Sequence, residues 1–144
     1  RDFLMLTGLL FAASLVLVEQ SCVAAGQIRE SLRLLSADHA SVVQDDAIAW
    51  LAQQSPASAD LVFVDPPFGK GLAGRTLSAL LSGKILRTNG QVYVETSRLE
   101  DDPIVESGDA SAWKILRDKT LGEVRMQLLE LAATAHSTRP EINS

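Results

Sequence analysis

One cysteine, Cys22, among 144 residues excludes an internal disulfide and leaves a cysteine-based metal site without partners. The two histidines, His39 and His136, are too far apart to give a zinc spacing, so no metal is expected. Positive charge is also scarce. Thirteen Lys and Arg against 18 Asp and Glu leave a formal net charge of -5. That balance argues against nucleic-acid binding by bulk electrostatics, although it permits a local basic face. No internal repeat or low-complexity tract is visible. What remains is 47% hydrophobic and 22% charged, the composition of an ordinary folded domain. The length suits one domain, expected over residues 1–135 with a polar tail at 136–144, and is too short for two. A reducing cytoplasm is the compartment this cysteine usage fits.

The first 20 residues need a separate reading. The chain starts at Arg1 rather than Met and so reads as a piece of a longer one. Residues 3–18 are apolar except for Thr7, Gly8 and Ser14. A signal peptide would have a positive start and an apolar run of this kind, but the run ends in Glu19-Gln20 with no small-x-small cleavage site directly behind. The run is somewhat short for a membrane span. A buried element pair fits better: a helix over 3–13 and a strand over 14–18.

Downstream, apolar segments of alternating period succeed one another. Val23, Ile28, Leu32 and Leu35 fall on helical spacing within 21–35. A short strand is expected over 40–44, then a helix through Trp50 and Leu51 that Asp45 or Asp46 would cap. Leu61-Val62-Phe63-Val64 is a strand, Gly69-Lys70-Gly71 a loop, and 76–86 a helix. Asn89-Gly90 signals a turn before a strand over 91–95. Residues 101–103 and 106–111 read as loop, and the stretches 113–116 and 124–131 as an antiparallel strand pair. Strands alternating with helices imply a mostly parallel sheet covered on both faces.

The most informative stretch is Asp65-Pro66-Pro67-Phe68, directly after the β-branched run. Proline gives no N–H to a ladder and fixes its own φ, so two in succession end the strand and stiffen the turn out of it. A carboxylate, backbone carbonyls and an aromatic ring are thereby held at a strand's C-terminal edge, where open α/β sheets bind ligands. A strand capped by an acid and a Pro turn is the plainer alternative. Glu19 and Asp46 also lie at or just past strand ends. An acid there can accept two ribose hydroxyls, although each one alone is more often a helix cap.

Val16-Leu17-Val18-Glu19-Gln20, Val42-Val43-Gln44-Asp45-Asp46-Ala47 and Leu61 to Phe68 occur in that order, succeeded by Val92-Tyr93-Val94-Glu95 and the late Leu116-Arg117-Asp118-Lys119, Gly122-Glu123-Val124 and Leu128-Leu129. Together these pieces resemble the RsmD family, S-adenosylmethionine-dependent methyltransferases acting on the exocyclic N2 of a guanine in 16S ribosomal RNA. The resemblance implies a Rossmann-like class I methyltransferase sheet, mostly parallel with an antiparallel C-terminal strand pair. The N-terminal part is incomplete, because the family's strand and Asp-x-x-x-Gly-x-Gly loop have no counterpart in the first 20 residues. The family's basic N-terminal segment is missing as well.

Carried onto this sequence, the resemblance implies S-adenosyl-L-methionine as cofactor. Glu19, with Gln20 beside it, would receive the ribose hydroxyls; Asp46 and the Ala47 N–H would meet the adenine. Asp65 would border the cofactor and, with the Pro66 carbonyl and Pro67, hold the target amine, while Phe68 would stack on the base. The partner implied is 16S rRNA in the small ribosomal subunit, with no membrane and a monomeric enzyme. The Asp-Pro-Pro-aromatic motif is shared with other amino-methyltransferases, so an adenine-N6 enzyme stays open, as does an inactive remnant that lost the glycine loop. Lys70, Arg75, Lys84 and Arg87 read as a solvated surface with phosphate contact as the alternative. Trp50 and Trp113 read as core, and Cys22 as buried or half-buried. Tyr93 and Glu95 read as a strand and its end, with Glu95 a candidate for the pocket mouth.

Overall fold

The computed structural model describes residues 4–9, 14–19, 21–36, 40–67 and 69–133. The expected ring of Phe68, Gln20, both histidines and the tail at 136–144 lie outside the described residues. Among the described residues, seven strands form one sheet: β1 (Leu4–Leu9), β2 (Ser14–Glu19), β3 (Ala40–Gln44), β4 (Ala59–Asp65), β5 (Leu86–Ser97), β6 (Trp113–Leu121) and β7 (Val124–Leu131), in spatial order β3-β2-β1-β4-β5-β7-β6. The α-helices of the described residues are α1 (Cys22–Leu34), α2 (Ala47–Leu51), α3 (Leu72–Ser82) and α4 (Pro103–Glu106). Strands β2 to β6 run one way. The expected antiparallel C-terminal pair is β6–β7.

The opposite course of β1 was not anticipated. The stretch expected as a helix over 3–13 is a strand over Leu4–Leu9, antiparallel to both β2 and β4. An apolar run carries no period that separates a helix from a buried strand, and pairing on both sides decides for the strand. Its register sets Leu4 opposite Glu19 on one side and opposite Asp65 on the other.

The core lies on the face of the sheet that α2 and α3 cover. Val62 and Val64 of β4 and Val92 and Val94 of β5 are fully buried there with Leu51, Leu77 and Leu80. Helix α3 runs four residues ahead of the expected 76–86. Gly71 caps it in the left-handed conformation, and Gly83 ends it, which releases Ile85 and Leu86 to lead into the next strand. Gly74 allows α4 to approach: a Cβ there would lie 2.6 Å from the Cβ of Glu106. Asn89-Gly90 makes no chain reversal. Asn89 takes φ 63° inside β5, beside a register shift between Ala59 and Leu61. The signal is thus realised as an irregularity within a ladder.

Other expectations are adjusted by packing. Helix α1 buries Ala25 and leaves Val23 and Leu35 largely exposed, because it rests on β3 and β2 at one end of the sheet only. Cys22 is exposed rather than buried, at the solvent-facing start of that helix. Helix α4 overlaps the ends of the two stretches read as loop, started by Asp102, whose carboxylate accepts the Ile104 N–H at 3.0 Å, and by Pro103 at the first turn. A 3-10 turn comes next, at Ala110–Ala112. Trp113 is buried and Trp50 packs against the core, as expected.

Arg125 ties the late elements together, reaching Asp118 of β6 at 2.6 Å and Asp102 at 3.4 Å. Its hydrogen bond holds the Asp118 carboxyl below the usual carboxylate range, against an opposing desolvation effect. A carboxyl whose folded pKa is depressed stabilises above its unfolded pKa, and that contribution is lost as pH falls through the folded value. Asp118→Asn is therefore expected to lower Tm slightly at pH 7, the pair being solvent-screened. The difference from the parent should close as the melts are taken below about pH 4. A gap that persists at pH 2 would mean that the charge pair is not its source.

Candidate active site

The β2 and β4 segments that carry the candidate residues end on one edge of the sheet. Glu19 closes β2 and is only 3% exposed; its Oε1 accepts the Ser21 N–H at 3.0 Å. The same residue's carbonyl accepts the Asp45 N–H at 3.2 Å, which ties the ends of β2 and β3 together. Asp65 closes β4 and is half-buried, with its Oδ1 shielded from solvent. Because Leu4 pairs with both acids, Glu19 and Asp65 stand at one level of the edge. At the usual strand spacing their backbones are about 10 Å apart. Pro66 is buried and Pro67 half-buried, so the strand ends against packed rings.

Asp46 sits just past β3, exposed, and its carboxylate caps α2 by accepting the Ala49 N–H at 2.9 Å. The plainer reading of this acid as a helix cap is realised. A carboxylate has further acceptor capacity beyond one capping bond. Ala47, the first residue of α2, is buried and contributes one of the N–H groups that a helix start leaves without an intrahelical acceptor. Glu19, Asp65 and the β3–α2 turn carrying Asp46 and Ala47 are thus brought to one edge.

The basic residues divide. Lys70 and Arg75 come after the motif and are exposed. Lys84 and Arg87 lie before and at the start of β5, at the opposite end of the sheet, where Arg87 is 3.8 Å from Asp60. A phosphate contact at the strand-end face is therefore ruled out for these two, because the topology sets them a strand's length away.

Two groups at the edge escaped sequence reasoning or were underweighted by it. Glu100 accepts the Gly69 N–H through one oxygen and the Ser97 N–H at 2.9 Å through the other. It thereby joins the loop after the proline pair to the end of β5. No local pattern announces a bond over 31 residues. Tyr93 donates its O–H to Glu95 Oε1 at 3.0 Å, and its ring lies 5.5 Å from that of Phe63. Burial, then the Glu95 hydrogen bond and the charges of Glu95 and Asp65, push the Tyr93 phenol up from its ordinary value. Among the described residues, no group of three His, Cys, Asp or Glu side chains could hold a metal ion.

The chain has relatives among known proteins. Residues 11–130 match the family described as conserved hypothetical protein 95. Ribosomal RNA small subunit methyltransferase D of Escherichia coli strain K12 is 32% identical over 127 residues, covering 88% of this chain and 62% of that protein. The chain belongs to the RsmD family. A solved Escherichia coli structure, 29% identical, superposes with a TM-score of 0.68 over 82% of this chain and 62% of its own. A Haemophilus influenzae structure, 31% identical, gives 0.68 over 78% and 68%. The RsmD fold is accordingly the class I methyltransferase fold, an α/β sheet of the Rossmann-like kind. The chain spans 62% of the length of this curated RsmD relative.

Whether these residues suit S-adenosylmethionine is decided by their chemistry. Glu19 supplies a buried carboxylate for a diol, and the β3–α2 turn supplies an acceptor and an N–H for an adenine edge. The cradle of glycine backbone expected in RsmD proteins is not formed between β2 and β4 among the described residues. There the edge presents the start of β1, not the end of a parallel strand. The acceptors fit the cofactor's nucleoside; among the described residues of this edge, no glycine backbone stands between β2 and β4 for its amino-acid end.

Proposed function

We propose that the chain carries the site of an S-adenosylmethionine-dependent RNA methyltransferase acting on the exocyclic N2 amine of a guanine in 16S rRNA. It would work as a cytoplasmic monomer on the small ribosomal subunit. The observation that carries this reading is the placement of Asp65 and Glu19 at one level of the sheet edge, each opposite Leu4, with β4 ended by Pro66 and Pro67. Among the described residues no helix is long and apolar enough to cross a membrane.

The cofactor supplies an electrophilic methyl group. The chain's own residues supply position. An aromatic amine is a poor nucleophile because its lone pair is delocalised into the ring. Asp65 and the Pro66 carbonyl, as acceptors for its two hydrogens, turn that lone pair out of conjugation and toward the methyl carbon. Asp65 is also where the proton shed by the methylated amine would pass. Holding the reactants in line, with a fixed negative charge beside the developing positive one, accounts for most of the rate enhancement such a site gives. Glu19 and Asp46 would hold the cofactor's ribose and adenine, and Phe68 is the residue that would stack on a base drawn out of its helix.

A second reading, a folded remnant that no longer binds the cofactor, is favoured by one observation: the reversed β1 in the position of the glycine loop. Calorimetric titration with S-adenosylmethionine separates the two. Saturable binding is expected for the enzyme, and no heat would leave only the remnant. Methyl transfer to undermethylated 30S particles, and none to duplex DNA, is the expected specificity. The reverse preference would point to an adenine-N6 enzyme.

A further inference from the structure

Glu95 lies beside the motif, and the methyl-transfer reading gives it no role. Strands β4 and β5 are parallel, with Phe63 opposite Tyr93 and Val64 opposite Val94. One residue further, the register carries Glu95 to the level of Asp65, about 5 Å away at the usual strand spacing. Alternation sends Val64 and Val94 into the core and leaves Phe63, Asp65, Tyr93 and Glu95 on the other face. Tyr93, two residues before Glu95 and on its face, donates its only hydroxyl proton to Glu95 Oε1 at 3.0 Å. The tilted ring contact with Phe63 fixes the direction from which that proton comes. The phenol also feels the charges of both acids, so Asp65 and Glu95 converge on one region of this face.

We propose that Glu95 is a specificity residue: positioned by Tyr93, its carboxylate accepts the ring N1–H of a guanine whose N2 amine is held by Asp65. This rests on the methyl-transfer reading and names the feature of the base that is read. The Watson–Crick edge of guanine places two adjacent donor groups, N1–H and N2–H₂, before two adjacent carboxylates. Adenine presents a lone pair at N1 beside its amine, and a carboxylate there meets acceptor with acceptor. Rejection by an unpaired polar contact is stronger than rejection by size. Charge-assisted base contacts are the strong ones. Tyr93 is a positioning residue in this arrangement, because its bond leaves Glu95 one orientation from which to reach the base.

The test is binding of short single-stranded RNAs carrying one guanosine, 1-methylguanosine or adenosine, measured by NMR titration of the full chain, with Asp65→Asn, Glu95→Gln and Tyr93→Phe alongside. The parent should prefer guanosine over 1-methylguanosine and over adenosine by roughly tenfold, the size of one good base contact. Glu95→Gln should erase that preference with Tm unchanged, and Tyr93→Phe should reduce it only in part. A preference that survives Glu95→Gln, while Asp65→Asn still weakens guanosine binding, overturns the role of Glu95 and leaves the methyl-transfer site standing. No preference in the parent, with Asp65→Asn without effect, overturns both.

Discussion

Asp65→Ala is expected to lower kcat for guanine methylation by about 10²–10³-fold, the cost of removing one fixed hydrogen-bonding group from a charge-developing centre. The reason starts with the strand. Val62 and Val64 anchor β4 in the core, and Pro66 is buried directly after it. The backbone at position 65 is therefore set by its neighbours, and trimming a half-buried carboxylate leaves the strand's packing intact. The acceptor that turns the amine's lone pair toward the methyl group and takes its proton is lost. Cofactor affinity should hold within a few-fold, since Glu19 is two strands away. The measurement is single-turnover methyl transfer to undermethylated 30S particles, with calorimetry on the same variant. Transfer at the parental rate would remove Asp65 from the chemistry. Asp65→Asn should fare little better, because its amide can present a donor to the amine where an acceptor is needed.

The parts of this fold that could be read from the chain are those in which local pattern and tertiary partner agree. Leu61 to Val64 is β-branched, apolar and stopped by two prolines, and β4 ends at Asp65. Val124 to Leu131 reads as a strand and is one, with the limits expected. Where the two levels part, the reading fails. Residues 4–9 are apolar without a period, and only pairing with β2 and β4 makes them a strand. Asn89-Gly90 carries the strongest local turn signal, yet it falls within a twelve-residue strand, at the register shift between the Leu86 and Gln91 pairings to β4. The Asp102-Pro103 cap of α4 was there to be read, an acid before a proline with Glu106 in the first turn, but four residues are too few to show a period. At the site, Glu19, Asp46 and Asp65 were legible because each closes a strand or sits just past one. The Glu100 bridge from Gly69 to Ser97 was not, since nothing local marks a contact made only by folding.

The largest expected effect on the cofactor belongs to Glu19→Ala, which should weaken S-adenosylmethionine binding by about 10²-fold or more. Two charge-assisted hydrogen bonds to a diol are lost, each worth about 1.5–3 kcal/mol. The side chain is almost wholly buried and the residue's backbone anchors Asp45, so the carboxylate is preorganised and its removal cannot be replaced by a shift of neighbours. A structural cost accompanies the loss, because the Ser21 N–H at the start of α1 loses its acceptor Oε1. That cost is about 1–3 kcal/mol and should show as a lower Tm in the absence of cofactor. Glu19→Gln separates the two effects. Its amide oxygen can still accept from Ser21, so Tm should stay near the parent's, while only one acceptor remains for the two hydroxyls. Binding weakened by roughly tenfold at unchanged Tm is the expected outcome for this variant, about the loss of one such bond. Parental affinity in both variants would place the ribose elsewhere on the edge and leave Glu19 the lesser task of capping the turn into α1.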